Sequence, residues 1–163
     1  MTAQFEIVTD SGSDDEAYAW IGRVLTNFAE GEQAVGELCV ALGLSIANGS
    51  LGSLKHLQEI LQTSGDRKCA ALGKRIERWT DNRPFRHLLA HSRIFRLSDS
   101  AGCKVVVTRH LPRDKDDVTP DKLWTNEERQ ELLRQATNDG RSIRDLVRNI
   151  LADSKLLMKL RRP

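Results

Sequence analysis

One short stretch, Asn82-Arg83-Pro84-Phe85-Arg86-His87-Leu88-Leu89-Ala90-His91-Ser92, holds two arginines and two of the chain's four histidines. An imidazole takes or gives a proton near neutral pH, because its ordinary pKa is ~6.5. A guanidinium stays cationic and grips two phosphate oxygens at once. Together a proton carrier and a fixed cation suit acid–base chemistry beside a bound phosphate. On a helix at ~100° per residue, with Phe85 at 0°, Leu89 falls at about 40°, Leu88 at about 300° and Ser92 at about 340°, a face suited to burial. Arg86 falls at about 100°, Ala90 at about 140°, His87 at about 200° and His91 at about 240°, on the opposite face. Small Ala90 leaves room there for a second helix or a substrate. The same pattern also suits a solvated polar face without function. Arg86 and His91 lie ~7.5 Å apart along the axis and diverge by ~140°, so one copy makes an awkward complete site and two copies about a twofold axis make a better one. Arg83, Arg93, Arg96 and Arg109 can hold flanking phosphates, a contact without base specificity.

Other chemistries find less support. His87 and His91 are four apart, but Leu88 stands where a zinc protease carries its glutamate, and no Cys or carboxylate lies close in sequence to complete a shell. We therefore expect no metal and no cofactor. Cys39, Cys69 and Cys103 are odd in number and widely spaced, which makes neither a disulfide framework nor a zinc knuckle. His56 and His110 have no local partners and are expected at the core edge or surface. Trp20, Trp79 and Trp124 sit beside apolar stripes or a cap, as core residues do. Gly31, Gly36 and Gly43 fall within a helical pattern, so no phosphate-cradling loop is present, and no serine elbow appears.

Arg86, four residues, then His91, with polar His87 directly after the Arg and Leu-Ala-His before a small residue, resembles the motif of the HEPN superfamily. The resemblance covers these six residues closely and the surrounding helices loosely. It implies a helical bundle that dimerises with its motif helices facing each other. It implies a metal-independent endoribonuclease with a toxin, defence or RNA-processing role and, for a toxin, a cognate antitoxin. Arg86 and His91 would be catalytic, and His87, Arg83, Arg93 and Arg96 would bind RNA. Some members have lost catalysis, so the alternative is a silent dimerisation or nucleic-acid-binding module. Pro84 just before the motif and a hairpin just after it depart from the usual pattern and leave the subfamily open.

The elements that must position these residues are mostly helices. Ser13 and Glu16 read as a capping box ahead of a stripe from Ala17 to Leu42, one helix over about 14–44, broken at Asn48-Gly49-Ser50. Leu54, Leu57, Ile60 and Leu61 mark a second helix ending near Gly65, and Asp66 caps a third. Pro84 fits the first turn of a new helix after Asp81 or Asn82. Ile94, Phe95 and Leu97, then Val105, Val106 and Val107, flank Ser98-Asp99-Ser100-Ala101-Gly102 as a β-hairpin insertion over 93–109. Residues 112–121 read as a loop. Thr125 and Glu128 form another capping box, opening a helix that stops at Asn138-Asp139-Gly140, and a last helix follows from Ile143 to Met158. The expectation is one mainly α domain over 1–163, an antiparallel bundle of four to five helices, with 1–12 flexible.

The net charge of +2 conceals an uneven distribution. Residues 1–32 carry −6, whereas residues 66–113 hold twelve bases and four acids, +8. A basic middle beside an acidic start fits a surface facing a polyanion such as RNA, or a solvated charged face. The longest near-apolar run, Leu38–Ala47, is far short of the ~20 residues that span a bilayer. Residues 1–10 have no basic head, and the cysteine usage suits a reducing compartment, so a cytoplasmic location without membrane contact is expected, and the split geometry of Arg86 and His91 leads us to expect a homodimer.

Overall fold

The computed structural model describes residues 5–7, 14–45, 53–99, 104–110 and 120–161. The order is β1 (Phe5–Ile7), α1 (Asp14–Ala41), α2 (Leu54–Thr63), α3 (Arg67–Asp81), α4 (Arg83–His91), β2 (Ser92–Asp99), β3 (Lys104–His110), β4 (Lys122–Trp124), α5 (Asn126–Leu151) and α6 (Ser154–Leu160). The described chain is mainly helical, with a small antiparallel sheet in the order β1-β2-β3-β4. Among the described residues no helix is long and apolar enough to cross a membrane. The 1–163 span divides into two compact units, Met1–Leu25 with Arg83–Gln135, and Thr26–Asn82 with Ala136–Pro163.

The hairpin forms where the change of period predicts it, with Ile94 opposite Thr108 and Leu97 opposite Val105. Its two flanking strands were not foreseen. Phe5–Ile7, placed by the sequence in a flexible 1–12 segment, pairs with Leu97–Asp99. Lys122–Trp124 pairs with Val106–Thr108. Three residues are too few for an alternation to register. Each is recruited by the row of unpaired N–H and C=O groups along one edge of the hairpin.

In the second unit, helix ends follow local chemistry. The first helix stops at Ala41, short of the expected 44, because Gly43 turns left-handed at φ 74°. Its N–H donates to the Val40 carbonyl at 3.0 Å, and Leu44 donates to the Cys39 carbonyl at 2.9 Å, so the last carbonyls are satisfied. Gly43 is thus a terminator and not part of the helix. Gly65, at φ 67°, ends α2 as expected. The Asp66 carboxylate then accepts from the amides of Lys68 and Cys69, capping α3. Ser13 and Asn48-Gly49-Ser50 lie outside the described residues.

The predicted stop at Asn138-Asp139-Gly140 does not occur, and α5 runs through it. Asp139 is buried, and one of its oxygens accepts from Arg75 at 3.0 Å and Arg78 at 2.9 Å, both on α3. Gly140 lies so close to α1 that a Cβ there would sit 2.6 Å from the Asn27 carbonyl oxygen. The Asp-Gly pair therefore serves helix packing and not helix termination. Among the described residues there are six helices where a bundle of four to five was expected, and the last boundary is displaced, with α5 ending at Leu151 and α6 starting behind an Asp153 cap. Gly31 similarly admits Trp79, whose Nε1 would be 3.0 Å from a Cβ at that position.

The Thr125–Glu128 capping box closes both ways. Glu128 N–H donates to the Thr125 hydroxyl at 3.2 Å, and Thr125 N–H donates to the Glu128 carboxylate at 3.0 Å. Lys122 also reaches that carboxylate at 2.9 Å and, with the Thr125 amide, holds it below the usual Glu range. A group with a lowered folded pKa stabilises above its unfolded pKa and loses that contribution as pH falls through the folded value. Thr125→Ala should cost about 1 kcal/mol in urea melts at pH 7. Glu128→Gln should cost less, and its cost should begin to shrink as pH falls below about 4.3, the ordinary Glu value, and disappear only below the lowered folded value.

The two helical glycines Gly140 and Gly22 should respond oppositely to Ala. A Cβ on Gly22 meets nothing within 4 Å, so Gly22→Ala should stabilise by about 0.5–1 kcal/mol. Gly140→Ala gains the same propensity but drives a methyl into the Asn27 carbonyl, and should destabilise by about 1–3 kcal/mol. Equal shifts in paired denaturant melts would show that the close approach at Gly140 has no energetic weight.

Candidate functional site

The motif stretch forms α4 in the first unit. Asn82 ends α3, and Pro84 occupies the first turn of the new helix, where its missing N–H costs nothing. Leu88 and Leu89 are buried as the helical wheel requires. Phe85, expected with them, is only half-buried. Its ring meets the edge of Trp124, with centroids 5.4 Å apart, instead of sinking into the core. Ser92, expected on the helix's buried face, opens β2, because the chain passes from helix to strand directly after His91.

Trp124 anchors this arrangement. It is 1% exposed, and its indole N–H donates to the Thr108 hydroxyl on β3 at 3.0 Å. It also meets Trp20 of α1, centroids 5.4 Å apart, while Lys122 lies 4.5 Å over its ring. The Trp20 indole donates in turn to the Arg129 carbonyl of α5 at 2.9 Å. The two tryptophans are core residues, as their place beside apolar stripes predicts.

Of the titratable face, His87 is exposed, whereas Arg86 and His91 are half-buried and not openly accessible as expected. The cause is the sheet. Its strand β3 packs against α4, and His110, at the end of β3, lies directly across from Ser92. The His87 and His91 rings lie 4.6 Å apart, and the His110 ring lies 6.1 Å from His87. His110 is 4% exposed, and local sequence gave it no role. The only sequence signal for it is hairpin register: counting outward from the turn pairs position 110 with 92. Even so, among the described residues no group of three or more His, Cys, Asp or Glu is placed to hold a metal ion.

The flanking arginines do not form one set. Arg93 and Arg96 are three apart on a strand, and side chains alternate, so they point to opposite sides of the sheet. Arg93 is exposed and sits opposite exposed Arg109, whose guanidinium reaches Asp121 at 2.9 Å. Arg96 sits opposite buried Val106 on the packed side and is half-buried. Arg83 is half-buried, with a buried Nε that finds no acceptor among the described residues.

The basic block divides as well. Lys68, Arg75 and Arg78 of α3 lie in the second unit, where Asp153 and Asp139 engage them. Residues 83–113, in the first unit, carry seven bases and one acid by sequence. Cys39 and Cys69 are buried free thiols, and burial pushes both pKa values up, which makes them poor nucleophiles. Cys103 lies outside the described residues.

The chain matches no protein-family model, no curated protein and no solved structure.

Removing the tryptophan should be far costlier than removing the half-buried imidazole. Trp124→Ala is expected to lose about 3–5 kcal/mol in urea melts. His91→Ala is expected to lose about 0.5–1.5 kcal/mol, somewhat more than an exposed site. A loss at His91 as large as that at Trp124 would make His91 a core residue and remove the ground for a functional reading.

Proposed function

We propose that this chain is a metal-independent endoribonuclease of HEPN type, centred on Arg86, His87 and His91. The single observation that carries the reading is α4 itself, where the His87 and His91 ring centroids stand 4.6 Å apart on the helix that also carries Arg86. Support comes from the excess of positive charge over residues 83–113.

The chemistry balances with these residue types. A neutral imidazole accepts the ribose 2′-hydroxyl proton as that oxygen attacks the neighbouring phosphorus. The bond from phosphorus to the 5′ oxygen breaks, and a protonated imidazole gives its proton to the leaving oxygen. The products are a 2′,3′-cyclic phosphate and a free 5′-hydroxyl. Arg86 holds the charge that builds on the non-bridging oxygens. His91 takes one of the two proton-transfer roles, and His87 binds substrate beside it.

The proposal includes a cytoplasmic homodimer, because Arg86 and His91 diverge around α4 and a second copy supplies the missing half of the site. It also includes the helical-bundle arrangement that the resemblance implies and, for a toxin, a cognate antitoxin. The silent RNA-binding or dimerisation module is the competing reading.

RNA cleavage in excess EDTA tests the proposal. Activity should survive chelation, fall at least ~100-fold in His91→Ala, as loss of a general acid or base does, and be abolished in Arg86→Ala. The cleaved strand should end in a cyclic phosphate. RNA binding without turnover under these conditions would overturn the enzyme reading in favour of the silent module. Sedimentation as a monomer at high micromolar concentration would overturn the composite site.

A further inference from the structure

The sheet has two different faces. Register places Val106, Thr108, His110 and Trp124 on one, and all four are buried. The other carries Arg93, Phe95 and Leu97 of β2, Val105, Val107 and Arg109 of β3, and Leu123 of β4. Arg93 and Arg109 are exposed, Leu123 is 53% exposed, and Phe95 and Val107 are half-buried.

This face combines apolar surface with an unfavourable charge arrangement. Arg93 and Arg109 are direct cross-strand partners, and like charges in that position repel. Asp121 supplies one carboxylate to Arg109, through an exposed pair of the kind that contributes little. Among the described residues this leaves one positive charge over at this end of the sheet. The Arg109 guanidinium lies 5.2 Å from the Phe95 ring centroid, so cation and aromatic share one spot. A phosphate between the two arginines would relieve their repulsion. A base would find a π-face and a guanidinium plane to stack on. Arg93 follows His91 by two residues, roughly 6.6 Å along an extended chain, so the face begins beside the motif helix.

We propose that the open face of the sheet is a track for single-stranded RNA, with a phosphate held between Arg93 and Arg109 and a base stacked at Phe95. As a feed to the α4 centre it rests on the ribonuclease reading; as a binding surface it stands without it. Single strands are selected because a paired base has no face to offer Phe95. Arg96, on the packed side, takes no part.

The test is fluorescence anisotropy with a 2′-O-methyl single-stranded oligonucleotide, which cannot be cleaved through its 2′ oxygen, and with the same sequence as a duplex. Arg93→Ala and Arg109→Ala should each weaken single-strand binding about fivefold or more and each reduce the slope of log affinity against log salt by about 0.7. Phe95→Leu, which keeps an apolar side chain for folding, should weaken single-strand binding about tenfold and leave duplex binding unchanged. Arg141→Ala, at an exposed position on α5, should bind as the unmodified chain does.

Unchanged affinity in the Arg93, Arg109 and Phe95 variants, or no binding by the unmodified chain, overturns the track. Unchanged affinity together with a lost dimer in Arg93→Ala and Arg109→Ala would make the face a protein interface and also overturns it. Cleavage of ordinary RNA, lost in Arg86→Ala, would in either case leave the ribonuclease reading in place. The predicted binding losses without cleavage by the unmodified chain would overturn the ribonuclease reading and leave the track.

Discussion

Burial of the Trp124 indole is the constraint on which the first unit depends. A Trp side chain offers a large apolar surface, but its N–H must find an acceptor once water is gone. Thr108 supplies that acceptor from β3, which fixes β4 to its neighbour at one register. The flanks of the ring meet Trp20 and Phe85, which brings α1 and α4 to the same side of the sheet. The imidazole grouping follows from this: once α4 is held there, the end of β3 lies beside the motif and His110 lies near His87.

Arginines divide between two physical tasks. In the second unit Arg75 and Arg78 converge on a buried carboxylate, and the pairing offsets the desolvation of Asp139. That arrangement helps carry α5 past a sequence with the marks of a stop. The charge-rich stretch of the first unit instead includes Arg93 and Arg109 side by side, with Asp121 paired to Arg109. Self-repelling cations on an open surface have a use when a polyanion completes them, and this is the physical content of the proposed RNA contact.

The motif helix was legible from residue types alone: Pro84 marks its first turn, Leu88 and Leu89 its buried face, and the fourfold step its paired histidines. The Asp66 cap, the reciprocal Thr125–Glu128 box and the left-handed Gly65 were legible for the same reason, since each is settled within a few residues. Three-residue strands were not, because pairing partners, and not their own pattern, hold them in place. Phe85 was misjudged because a helical wheel assigns a direction but cannot say whether a ring or a packed core waits there.

Sequence by itself therefore determined the helical character, the hairpin, the Asp66 and Thr125–Glu128 caps and the pairing of His87 with His91, all of them consequences of short-range spacing. Tertiary structure decided what Asp139-Gly140 does, since a buried ion pair and a close backbone approach outweigh the local tendency to end a helix. It also decided which arginines stand together. Arg93 and Arg96 look like neighbours in the sequence, but the alternation of a strand sends them to opposite faces, and hairpin register gives Arg93 the partner Arg109 instead. His110 comes near His87 by that same register, because cross-strand pairing brings together residues that no local pattern connects.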